Sequence, residues 1–565
     1  MAMGSRTSAE DSNPVWIRWF LPSVGDLFFV ALVGVLVFTN LSVRLLGDAG
    51  IGWHIRTGQI ILATHAIPRV DPFSSSMSGH PWFAWEWLYD VLVGWLESAT
   101  GLNGVVLLTA FIIAMVFSWT FRLLLHRGTN IAVALILVLL AASASMIHFL
   151  ARPHVVSWLF TVAWFWILES SEDDRTDSNA NFSATSGIRR ARLWLLPLIM
   201  LLWVNVHGGF LLGFALLAIY CVSAAWQWLR LTLTLTEGRF ENFLRGLRAG
   251  RRLRDLTFVG IVSAAATLLN PYGFKLHIHI YRYLTNRFLM DHIDEFQSPN
   301  FHYVAQKCFA ALLLLTLLAL AAKRRGISVS HGLVLLFAVY SGLYASRNIP
   351  VSSLLSILVI GPWLSDAMAR LAASVRTPER WRGLAYTQFL HRMEGIELSL
   401  RGDLWPIAAI ILTCWIVAHG GKLGAAPLMN AHFDSKRFPV AAVDDLKKDY
   451  IEKQDLQGPG LLSPDSWGGY LIYEFYQREF YLRVKVVIDD RHDFYGEEFL
   501  KSYLKMIHAE PGWEEFLQQH APSCVIVPKD SALANLLLET TGWKAIHSDD
   551  VAIAFVRAPA SLPPR

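Results

Sequence analysis

Apolar residues in this chain are gathered into long blocks, with the polar residues confined to the intervals between them. Eleven blocks lie at roughly 27–46, 103–125, 131–149, 155–169, 193–207, 209–229, 255–270, 304–322, 328–346, 350–369 and 403–419. A helix needs about 20 apolar residues to cross a bilayer core about 30 Å thick. The blocks therefore predict a polytopic α-helical membrane protein, with the two shortest spans tilted or re-entrant. Beyond 420 no such block occurs. There, strand-like runs (Gly469–Tyr473, Val484–Ile488, Cys524–Val527, Val551–Val556) alternate with helix-like ones (439–453, 496–508, 512–520, 530–540), which predicts a small α/β domain.

The interval 47–102 has order of its own. Residues 51–64 and 84–99 are amphipathic, and the prolines at 68 and 72 break any helix between them. Two juxtamembrane helices lying on the bilayer surface are the expected arrangement. Orientation follows from the basic residues. Arg230, Arg239, Arg245, Arg248, Arg251, Arg252 and Arg254 fill one interval. Lys323 to Arg325 fill a second, Arg370, Arg376, Arg380, Arg382 and Arg392 a third, and Arg189, Arg190 and Arg192 end a fourth. With eleven spans all four fall on one side, which the positive-inside rule makes cytoplasmic. The expected organisation is a cytoplasmic segment 1–26, a transmembrane domain 27–419 and an extracytoplasmic domain 420–565.

Composition agrees: 54% of the 565 residues are hydrophobic and 17% charged, against about 25% charged in soluble chains. The 22 tryptophans suit interfacial belts. The four cysteines show no CxxC or zinc spacing, which argues against a disulfide framework or a Cys metal site. P-loop, HExxH, GxSxG and dinucleotide signatures are absent, and no nucleic-acid partner is expected. The first apolar block is long enough to remain as an anchor rather than be cleaved.

The unusual polar residues collect at span ends on the outer side. Asp48 follows the first span, where the helix dipole disfavours an acid. It reads as a general base for an acceptor hydroxyl, or else as an interfacial Asp paired with Arg44 or Arg56. Glu86 and Asp90 share one face of the second amphipathic stretch. They could join Asp48 in holding an acceptor or a divalent cation such as Mg or Mn, or they could be that helix's polar face. Arg152, His154 and Arg347 are placed to bind a lipid phosphate, with snorkelling at span ends as the plain alternative. Asn205 and His207 precede Gly208-Gly209, where backbone could approach a ligand or merely turn. Asn270 to Gly273 reads as a turn. Asp489, Asp490, Arg491 and Asp493 read as a solvated strand end, with domain docking or acceptor contact as alternatives. Glu172-Asp173-Asp174 reads as a solvated cytoplasmic loop.

Several strings together resemble the GT-C superfamily of membrane glycosyltransferases, and within it an uncharacterised bacterial branch. They are Trp53-His54-Ile55-Arg56-Thr57-Gly58, Ile67-Pro68-Arg69, Asp71-Pro72-Phe73-Ser74, Ala151-Arg152-Pro153-His154, Asn205 to Gly209, Leu269 to Gly273, Trp467 to Leu471, and Ile488-Asp489-Asp490-Arg491 with Tyr495-Gly496. The resemblance covers most of the chain. It implies a polyprenyl-phosphate sugar donor and inversion at the anomeric carbon. The acceptor would be a glycan, lipid or protein on the outer face of the bacterial inner membrane. It adds Trp53 and His54 to the substrate-binding candidates. One departure stands out: the branch often carries a second acid two residues after the position of Asp48, and this chain has Gly50. Trp467-Gly468-Gly469-Tyr470 is distantly similar to the Trp-Trp-Asp motif of oligosaccharyltransferases, without its Asp. Alternative readings are oligosaccharyl transfer to protein, a non-catalytic scaffold, and a transporter or channel. The last would call for mid-span charges and inverted repeats.

Overall fold

The computed structural model describes residues 17–172, 190–233, 240–324, 326–374, 378–400, 402–448, 460–476 and 484–557. Asp173, Asp174, Arg189, Arg239, Arg325 and Arg376, most of the segment 1–26, and the tail of the expected helix 439–453 lie outside the described residues. The molecule is mostly helical, with a β-containing region at its C-terminal end.

Each apolar block lies on a helix, but among the described residues six helices are long and apolar enough to cross a membrane by themselves: Arg18–Phe38, Leu102–His126, Ile131–His148, Gly208–Leu233, Val304–Ala322 and Ser346–Ser374. A seventh span arises if Gln388–Ser399 and Leu404–Ala418, bent by 58°, are taken as one. The expected count of eleven exceeds this for physical reasons. His154–Ser170, Val329–Tyr344 and Leu195–Val204 are short, and Phe240–Ala266 carries five arginines between 245 and 254, leaving its second half apolar.

Helix starts follow local chemistry. Ser23 and Asp26 form a capping box ahead of Val24–Phe38. The Glu397 carboxylate accepts from the backbone N–H of Val24 (2.8 Å) and Gly25 (3.0 Å), which places an anion at the positive end of that helix. Ile349–Ser374 is the most enclosed span, lying against Leu102–His126, Ile131–Ser145 and Val304–Ala322. At the end of the bundle away from Asp48, Glu169 accepts from Arg127 (2.8 Å) and Tyr220 (2.5 Å) and meets His331 at 2.8 Å. One buried acid thereby ties four segments together.

The first outer loop departs from its expected place. Ile51–Thr64 is buried on most of its faces, with Trp53, His54, Ile55 and Thr57 all enclosed. It is sandwiched between Trp87–Thr100 and a helix of the C-terminal region, Asp465–Phe475, rather than laid on a surface with one face open. That last helix corrects the strand expected at Gly469–Tyr473. Its Tyr, Leu and Ile favour strands locally, but packing overrides this weak preference. The reason for glycine here is contact between backbones. A Cβ on Gly52 would overlap the carbonyl of Gly469, and a Cβ on Gly469 would overlap that of Ala49.

A five-stranded sheet forms the core of the C-terminal domain, in the order Lys485–Val486, Gly460–Leu462, Cys524–Pro528, Ala552–Arg557, Trp543–Ser548. The first three strands are parallel and the last two pair antiparallel. Strands Gly460–Leu462 and Trp543–Ser548 were not anticipated; the first is only three residues long and the second is half polar. Leu462, Val525, Val527 and Phe555 pack beneath helices Glu497–Ile507, Trp513–His520 and Ala532–Glu539. Ser74 to Ser76 of the outer loop run beside Lys485–Val486, with Ser75 N–H donating to the Val486 carbonyl at 2.8 Å. The loop therefore covers the sheet's open edge.

Candidate active site

Asp48 lies in the turn between the short helix Leu41–Leu45 and Ile51–Thr64. Its Oδ1 accepts from the Gly50 N–H at 2.8 Å. Its partner is neither Arg44 nor Arg56 but Arg152, whose Nη1 donates to Oδ2 at 3.0 Å. The same Nη1 reaches Glu295 at 3.2 Å, and Nη2 lies 3.5 Å from Asp490. Three carboxylates from three distant parts of the chain thus converge on one guanidinium. Against the upward push of burial, Arg152 and then Arg347 hold Glu295 down at about 2. Burial carries Asp490 the other way, to about 7, because Arg152 only partly offsets it and Asp48 adds repulsion.

Arg347 differs from Arg152. Its guanidinium lies over the Phe296 ring, 4.6 Å from the centroid; it acts on Glu295 through space but makes no ion pair with a carboxylate among the described residues. His154 sits deeper, its Nε2 donating to the His148 carbonyl at 2.8 Å. This bond uses the nitrogen that a phosphate would need.

A second cluster lies around Glu86, which is 8% exposed. The Nε2 atoms of His54 (3.7 Å) and His207 (3.8 Å) approach its two oxygens. His54 Nδ1 meets Asp90 at 2.6 Å, giving a buried chain Asp90–His54–Glu86. Asp90 is fully buried and so is not the polar face of an interfacial helix. Burial drives its carboxyl up and the His54 imidazolium down. Burial, opposed by Arg152, raises Glu86 to about 8. Glu86 is therefore protonated at neutral pH and is not poised to accept a proton. Its proton is lost as pH rises through about 8, so transfer is expected to fall on that limb. Glu86→Gln, which keeps a neutral donor, is expected to retain most transfer near pH 7 and to abolish the alkaline limb. A pH–rate profile showing the same limb in Glu86→Gln would assign it elsewhere.

The remaining candidates divide. Trp53 stacks on His54 at 3.6 Å and donates Nε1–H to Asp490 at 2.9 Å. His207 Nδ1 is taken by Ser157 (2.8 Å) and the Gly209 N–H (3.0 Å), which aims Nε2 at Glu86. Asn205, expected as a substrate contact, instead braces the fold. It accepts from Trp87 Nε1 and donates to the Leu201 and Leu269 carbonyls. A cavity of about 520 Å³ lined by Trp87, Leu88, Leu202, Leu269 and Pro271 opens beside it.

The expectation of a solvated strand end at 489–493 is overturned. Asp489 and Arg491 are buried, and Arg491 joins Asp489 (2.7 Å) to Asp71 of the outer loop (2.8 Å). Asp493 pairs with His279 and His492 with Asp465. Glu295 was missed altogether. Its only sequence signal is an acidic pair, Asp294-Glu295, in an interval facing the other outer loops.

The sequence left the cofactor open, with a divalent cation such as Mg or Mn as one option. The donor set does not fit a divalent ion as arranged, because the Arg152 guanidinium occupies the focus of the three carboxylates. Glu86 and Asp90, expected to join Asp48 around a cation, face His54 instead. Among the described residues no three His, Cys, Asp or Glu side chains group as ligands.

No family model matches the chain, and no curated protein matches it in sequence. Solved structures do. The oligosaccharyltransferase of Archaeoglobus fulgidus in its apo form superposes with a TM-score of 0.53 at 12% identity, over 96% of this chain and 74% of that one. The same enzyme tethered to an acceptor peptide containing the NVT sequon gives 0.52 at 13% identity, over the same shares. ArnT from Cupriavidus metallidurans bound to undecaprenyl phosphate gives 0.49 at 13% identity, over 95% of this chain and 99% of that one. The chain has a GT-C-like fold.

Proposed function

We propose that this protein is a glycosyltransferase that moves a sugar from a polyprenyl-phosphate donor to an acceptor hydroxyl at the outer face of the membrane. The observation that carries the reading is the pairing of roles at one place. The Asp48 carboxylate is held by Arg152, and a second cation, Arg347, acts on the same cluster through space without an ion pair of its own among the described residues. In the step, Asp48 takes the acceptor proton and the acceptor oxygen bonds to the anomeric carbon. The bond from that carbon to the phosphate oxygen breaks, and its electron pair leaves on the phosphate, with inversion. Arg347 receives the growing phosphate charge, and Arg152 fixes the base. Glu86, His54, His207 and Trp53 line the sugar side, while the apolar cavity beside Trp87 takes the first isoprene units. The four basic intervals face the cytoplasm in this arrangement.

A second reading is oligosaccharyl transfer to protein, favoured by the likeness to the Archaeoglobus fulgidus enzyme. The test is transfer from a panel of polyprenyl-phosphate sugars by purified protein in lipid, with glycan, lipid and NVT-type peptide acceptors. Transfer is expected, and Arg347→Gln is expected to raise the donor KM about tenfold or more, the value of about 1.5–3 kcal/mol for a charge-assisted bond. Transfer to peptide alone would select the second reading. Absence of transfer across the panel would favour a scaffold or transporter on the same fold.

A further inference from the structure

We infer that Asp490, carried by the C-terminal domain, is a positioning residue of the site that fills the place of a side chain at position 50. The geometry is direct. A Cβ added to Gly50 would overlap Oδ2 of Asp490 and would lie 3.0 Å from Oδ1 of Asp48. The second carboxylate beside Asp48 thus comes from 440 residues further along the chain, and glycine at 50 is what leaves room for it.

The neighbours of Asp490 do the docking. Asp489 and Arg491 close on Asp71, His492 on Asp465 and Asp493 on His279. Asp490 alone in this run turns to Trp53 and Arg152. Its contacts divide the Arg152 fork: Nη2 faces Asp490, while Nη1 serves Asp48 and Glu295. Asp490 therefore occupies the Nη2 arm of the fork and leaves Nη1 to the base and Glu295. Crowding a third carboxylate onto one guanidinium costs stability rather than adding it. A buried like-charge cluster kept at that cost points to function. The site is complete only when the C-terminal domain is seated.

This inference rests on the glycosyltransferase reading for its catalytic part and stands apart from it for its geometric part. Asp490→Asn keeps the acceptor for Trp53 and removes a charge. It is expected to leave the melting temperature unchanged or raised, and to lower kcat about 10²-fold with the donor KM unchanged. Parallel losses of stability and kcat would reduce Asp490 to a structural contact. Gly50→Asp is expected to destabilise the wild type. In an Asp490→Gly background it is expected to be tolerated and to recover at least about tenfold of the lost kcat. Equal destabilisation in both backgrounds, read by melting alone, overturns the inference. Should the wild type transfer no sugar while the melting pattern holds, the function has failed and the placement of Asp490 stands.

Discussion

Asp48→Asn is expected to lower sugar transfer about 10²–10⁴-fold, the range supplied by a positioned proton acceptor, at an unchanged yield of folded protein. The amide matches the carboxylate in size. Its carbonyl oxygen can still accept from the Gly50 N–H, which keeps the turn, while Arg152 retains Glu295 and Asp490. What it cannot do is take the acceptor's proton. The loss should therefore appear in kcat, with the donor KM little changed, because donor phosphate is assigned to Arg347. Transfer within about threefold of wild type would move the base elsewhere. Glu86 would be a poor successor, since burial keeps it protonated near neutral pH. Glu295, held ionised by Arg152 and Arg347, would be the next choice.

The second large effect is on stability. Arg491→Gln is expected to cost about 3–5 kcal/mol, the penalty for stranding buried charge by removing its partner. The Arg491 side chain is 2% exposed, and those of Asp71 and Asp489 are fully buried. Without the guanidinium, two carboxylates are left facing each other, eased only by the Tyr495 hydroxyl at 2.9 Å and by nearby N–H and Ser74 donors. Trp53 and Trp82 lie close to this junction, so denaturant unfolding followed by tryptophan fluorescence reads it. The double variant Asp71→Asn with Arg491→Gln should lose less than the sum of the singles. A loss under about 1 kcal/mol would mean that water reaches the pair and that docking rests on apolar contact instead.

The likeness to known folds and the local chemistry agree on how much was legible beforehand. Asp48 and Arg152 stood out because polar side chains at the ends of long apolar runs need a reason to be there, and the structure pairs them with each other. Asp90 was read as a solvated face and proved fully enclosed, because helix periodicity shows which face a residue shares but not what packs on that face. Asn205 looked like a ligand contact and proved a brace, because an amide beside a glycine turn serves either purpose. The strand expected around Gly469 became a helix once two glycines allowed it to press on Ile51–Thr64. Local propensity carries no information about such a neighbour.

By itself, the sequence determined what local length and polarity can determine. Runs of apolar residues comparable to a bilayer's thickness must be helices, since lipid offers no partner for free backbone groups. Alternating short runs after them build an α/β region. Only the tertiary structure decided the partners. Arg152 meets acids 104, 143 and 338 positions away in the chain, and the space before Gly50 is filled by Asp490. Charges that pair across such separations are chosen by how helices and domain pack, and packing is a property of the whole chain rather than of any stretch of it.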